Sequence, residues 1–128
     1  MIPFVLDHTA LLTLGAGHRQ LSALVVAAAE GKAVGHVPAL SLAAAEGDRT
    51  GLGEHVASLP GLEVEPVDLT AALAAGVLIG AGVDWRVTQA VHLSRPCAEW
   101  PGGRVVVSLQ PALYKDTGVD PIDPTAIA

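Results

Sequence analysis

Phe4-Val5-Leu6-Asp7-His8-Thr9-Ala10-Leu11-Leu12 is the stretch that decides the fold. Phe4-Val5-Leu6 is a short apolar run halted by Asp7-His8-Thr9, the way a buried strand hands over to a helix. Thr9 is placed to cap the segment Ala10 to Leu14, which Gly15-Ala16-Gly17 closes. The same strand-then-helix unit recurs downstream. From His18 to Glu30, Leu21, Leu24, Val25 and Ala28 recur with helical spacing and line one face. Ala33 to Val37 reads as a strand, and Pro38 suits the first turn of a helix through Leu40, Leu42 and Ala45 to Glu46. Thr50 to Leu59 predicts a further short helix. Leu62-Glu63-Val64-Glu65-Pro66-Val67 alternates apolar and acidic residues, as a strand with one wet face does, and Pro66 with the two glutamates points to the sheet's edge or the strand's end.

Beyond it, Asp68 or Thr70 begins an Ala-rich helix to about Gly80. Asp84 caps the next, with Trp85, Thr88, Val91 and His92 on one face. Residues 95–103 form a loop, and Arg104 to Ser108 is a short β-branched strand. A turn at Pro111 to Tyr114 precedes a last strand near Val119 to Ile122. Strands alternating with helices predict a single α/β domain over residues 1–124, with a frayed tail at 125–128. Its centre is a mostly parallel sheet of four or five strands with helices on both faces.

Composition sets the class. A chain of 128 residues is one domain's worth, and 51% hydrophobic residues against 16% charged is enough to bury a core. The mean hydropathy is +0.49, yet aromatics are only 3%, so the core is built from Ala, Val and Leu. A net charge of −6 argues against a broad nucleic-acid surface, which rests on clustered Lys and Arg. The single Cys97 excludes an internal disulfide and any multi-cysteine zinc site. Met1 to Asp7 lacks a basic segment, so no signal peptide is expected. The longest uncharged stretch, Leu69 to Val83, is shorter than the roughly 18–20 residues of a membrane span. The expected setting is cytoplasmic, with no membrane partner.

Open parallel sheets bind ligands outside the carboxyl ends of their strands. Asp7 ends the first strand, Ser108 and Gln110 follow the valine strand, and Glu46 and Asp84 stand at helix ends that could reach the same edge. Carboxylates gathered there would hold Mg²⁺ or Mn²⁺ and activate water. Each acid has a plainer reading beside that one. Asp7 could bond the backbone of the following turn, Glu46 could be a solvated helix residue, and Asp84 could be an N-cap. The five histidines show no HxxxH or HxH spacing, so no zinc site is expected. Gly15-Ala16-Gly17 lacks the remainder of a dinucleotide fingerprint. Cys97 has no base nearby in sequence, and Trp100 reads as a lid or contact anchor.

Three segments together resemble a known family. Phe4 to Leu12, Val37 to Ala45, and Val105 to Pro111 with Tyr114 and the Val119 to Ile122 strand resemble, in order, the opening, second and closing segments of PIN domains. The resemblance covers nearly the whole chain and implies a PIN-like fold of the VapC toxin type, whose active members are Mg²⁺-dependent ribonucleases. That family gathers three or four acids around its metal. Here the first is Asp7, while the second falls on Ala44, the third near Gln89, and the fourth on Gln110 or Ser108. The expectation is therefore a pocket in which Asp7 stands alone, with Thr9, Ala44, Gln89, Ser108 and Gln110 around it and no metal or other cofactor. Such a protein would be non-catalytic and act by binding. Its partner would be a second copy or a small antitoxin-like protein, with Trp85 and Trp100 as anchors and weak RNA binding open. The alternative is an Mg²⁺- or Mn²⁺-dependent ribonuclease with Asp7, Glu46 and Asp84 as catalytic residues.

Overall fold

The computed structural model describes residues 1–126. Among the described residues, four strands form one sheet in the order β3-β2-β1-β4, all parallel. They are β1 (Ile2–Leu6), β2 (Ala33–Pro38), β3 (Leu62–Glu65) and β4 (Val105–Val107). The helices that connect them are α1 (His8–Gly15), α2 (Arg19–Ala29), α3 (Ala39–Asp48), α4 (Leu52–Ala57), α5 (Leu69–Gly80) and α6 (Trp85–Ser94). Short 3-10 turns follow at Pro111–Tyr114 and Pro124–Ala126. The expected α/β architecture, with a parallel sheet between helical layers, is what the chain adopts. The tail expected to fray begins inside the second 3-10 turn, and residues 127 and 128 lie outside the described residues.

Alternation along β1 divides the core. Phe4 and Leu6 point to one face, where they pack with Leu11, Leu21, Val25, Ala45, Leu52 and Val56 from α1 to α4. Val5 points to the other, against Val87, Ala90 and Val91 of α6 and Tyr114 of the first 3-10 turn. Gly35 sits where it does because its neighbours leave no room. It pairs with Phe4 on one side and Leu62 on the other, and a Cβ there would collide with both side chains.

Two details depart from the expectation. The cap of α1 is Asp7, not Thr9: Asp7 is extended (φ −79°, ψ −178°) and its side chain accepts from the Ala10 N–H. A carboxylate at the end of a strand is already in N-cap geometry, so the helix starts one residue after it. The final strand near Val119 to Ile122 shrinks to one parallel bridge between Val107 and Ile122. With β4 only three residues long, its last residue offers little ladder to extend.

The outermost helix is α5, which packs on α6. Ala71, Ala75 and Leu78 are buried, while Leu69, Leu73, Val77 and Ile79 face outward. Among the described residues no helix is long and apolar enough to cross a membrane.

Candidate functional site

The carboxyl end of β1 carries the site expected from sequence. β1 lies inside the sheet between β2 and β4, so Asp7 emerges among α1, the end of β4 and the first 3-10 turn. Its carboxylate is wholly buried. Oδ1 accepts from the Thr9 hydroxyl at 2.6 Å and from the Ala10 N–H at 3.0 Å. Oδ2 accepts from the Tyr114 hydroxyl at 2.8 Å. Thr9 Oγ1 in turn accepts the Leu109 N–H at 2.9 Å and lies 3.3 Å from Ser108 Oγ, which accepts the Gln110 N–H at 3.1 Å. Burial, and after it the negative charge of Asp7, push the Tyr114 phenol upward, so it stays a donor at every working pH. The network is a closed polar knot that ties β1, α1, β4 and the 3-10 turn together.

Beside it, His8 is buried with Nδ1 lacking a partner. Burial lowers its pKa, and Asp7, Asp84 and Asp48 oppose this while Arg86 adds to it.

The other expected residues go elsewhere. Glu46 accepts the Gly51 and Gly53 N–H groups at 2.9 and 2.8 Å and so caps α4; these bonds hold its carboxyl below the usual range. Asp84 caps α6 and is gripped by Arg86 through Nε at 2.9 Å and Nη2 at 2.6 Å. That fork pulls its carboxyl down to about 2. Gln89 is fully buried, and its amide is spent on backbone: Oε1 accepts Leu40 N–H at 3.0 Å, and Nε2 donates to Glu65 O at 2.8 Å and Pro66 O at 3.2 Å. It braces the start of α3 and the end of β3. Ala44 is half-buried and carries no ligand atom, and Gln110 is exposed.

A divalent ion tests poorly against this edge. Mg²⁺ and Mn²⁺ need several oxygen ligands in octahedral array. Asp7 offers two oxygens, both already engaged by protein donors, while Asp84 is held by Arg86 and Glu46 by α4. The residues do not fit the ion that the PIN resemblance implies.

Sequence reasoning missed two groups. One is Tyr114, whose hydroxyl comes 107 residues along the chain to Asp7. The other is His36 with Glu63 and Glu65, whose ligand atoms lie within 4.8 Å of one another. The acidic alternation of β3 was visible, but the parallel pairing of β2 with β3 was needed to set it against a histidine.

Compared with family models and with curated proteins, the chain matches none significantly.

Proposed function

We propose that this is a PIN-like protein of the cytoplasm that has no ribonuclease chemistry and acts by holding another protein, in the manner of one half of a toxin–antitoxin-like pair. The observation that carries the reading is α5. This helix has no charged residue, and it presents Leu69, Leu73, Val77 and Ile79 at 75, 64, 74 and 50% exposure. Leu69, Leu73 and Val77 stand four residues apart and form one stripe. An exposed apolar stripe of this kind on a small domain marks a contact surface. A second copy of the chain is the first occupant we assign to it. The stripe is uncharged and therefore self-complementary in a two-fold pairing, whereas a charged partner would find nothing to pair with. The engagement of both Asp7 oxygens by three protein donors supports the non-catalytic half of the proposal.

Sedimentation of the wild type against Leu73→Glu tests the reading. The wild type should run as a dimer at micromolar concentration and the variant as a monomer with an unchanged fold. A wild type that stays monomeric, together with Mg²⁺- or Mn²⁺-dependent RNA cleavage lost in Asp7→Asn, would establish the ribonuclease alternative instead.

A further inference from the structure

The parallel register of the edge strands places three metal-ligand side chains on one side of the sheet. His36 stands opposite Glu63, and Pro38 opposite Glu65, so Glu63 and Glu65 share the face of His36. His36 is 1% exposed, Glu65 about a quarter exposed, and Glu63 open to solvent. The cluster thus runs from a buried nitrogen to wet carboxylates at an uncovered edge. One nitrogen and two carboxylate oxygens lie within 4.8 Å of one another. Two further contacts hold it in place. The imidazole packs edge-to-face on Trp100, with ring centroids 5.8 Å apart. The Glu65 carbonyl is tied to α6 by Gln89.

Nδ1, 2.8 Å from Glu65 Oε1, is the nitrogen that faces the carboxylates, and the burial of the ring holds it there; Nε2, on the other side of the ring, is buried without a hydrogen-bond partner among the described residues and takes no part in the cluster. We infer that His36, Glu63 and Glu65 bind a divalent transition ion of the Zn²⁺ class, with solvent completing its shell. Imidazole with carboxylate favours Zn²⁺ and its first-row neighbours over Mg²⁺ or Ca²⁺, which take oxygen alone. Two ligands of one tetrahedral ion with bonds of about 2.0–2.1 Å stand roughly 3.3 Å apart. Glu65 therefore moves about half an ångström from its present contact with Nδ1, and partly exposed Glu65 and exposed Glu63 are free to make such adjustments. Bound there, the ion joins edge strand β3 to β2. This site is independent of the α5 surface and of the Asp7 knot.

Metal-free protein titrated with ZnCl₂ in a weakly coordinating buffer tests the assignment by calorimetry. One ion per chain is expected. Glu63→Gln, at an exposed position, should weaken binding by more than the roughly 10–100-fold that loss of even an outer partner costs, and Glu63→Gln/Glu65→Gln should abolish it. Trp100 supplies a local readout. In a Trp85→Phe background, Co²⁺ or Ni²⁺ should quench the remaining indole, and the double variant should remove the quenching. Circular dichroism of the metal-free variants checks that the fold is kept; were the double variant unfolded, Glu63→Gln alone decides. The assignment is overturned by a wild type that takes up no Zn²⁺. It is equally overturned by binding that Glu63→Gln leaves intact, which would place the ion on other histidines such as His18, His55 or His92.

Discussion

Removing one oxygen atom, in Tyr114→Phe, tests whether Asp7 is a structural carboxylate. The Tyr114 hydroxyl donates to Asp7 Oδ2 at 2.8 Å, and neither side chain reaches solvent to any extent. Phenylalanine fills nearly the same volume, so the cavity left is about one oxygen and the lost bond dominates. A hydrogen bond to a charged group contributes about 1.5–3 kcal/mol, and the abandoned oxygen has no water to replace its donor. For a chain of 128 residues, an unfolding entropy of about 2.1 cal/mol/K per residue makes each kcal/mol worth about 4 °C in Tm. The expected fall is therefore about 6–11 °C by differential scanning calorimetry. Asp7→Ala should fall further, because it removes the α1 cap as well, worth about 0.5–2 kcal/mol. In the double variant the tyrosine change should cost little more, since its partner is already gone. The opposite pattern is expected of a metal-ligand cluster: unscreened carboxylates repel, and neutralising one would raise stability in the absence of metal. A Tm that holds or rises in Asp7→Ala, or a Tyr114→Phe fall of similar size with and without Asp7, would refute the knot.

The remaining predictions follow from the same contacts. Gln89→Glu should destabilise the chain by about 3–5 kcal/mol in urea unfolding and confer no Mg²⁺ response, because it turns a buried carboxylate toward the Glu65 and Pro66 carbonyls. The His8 pKa is lowered in the folded chain, so as pH drops below 6.5 the unfolded state takes up its proton first; stability should fall through that window, and His8→Asn should flatten the fall. Gly35→Ala should cost about 1–3 kcal/mol, since its new methyl meets Phe4 and Leu62, with thermal melts as the check.

How far the sequence speaks differs between fold and site, and the reason lies in the range of the interactions. Phe4-Val5-Leu6 and Val105-Val106-Val107 are strands by local preference, and Asp68 and Asp84 cap α5 and α6 by bonds spanning three and two residues. Such features are written within one turn of chain, and reading them gives the order of elements and the parallel sheet. The site is made of partners that local pattern does not connect. Asp7 meets Tyr114 across 107 residues, Gln89 meets Leu40 across 49, and His36 meets Glu65 across 29. The last is fixed by which strands are neighbours and in what register, where a shift of one residue would turn the side chain to the opposite face, and the first two by which helices and turns pack together around the sheet. Glu63 and Glu65 show the difference most plainly. By spacing alone they are the wet face of an edge strand; β3 does form the edge, but its burial does not alternate, since Val64 is exposed and Glu65 half-buried. Only the pairing of Gly35 with Leu62, which a Cβ at residue 35 would obstruct, sets His36 opposite Glu63 and brings part of a solvated stripe up to a buried histidine. A glycine with no chemistry of its own thus permits the strand pairing on which the chemistry of this edge depends.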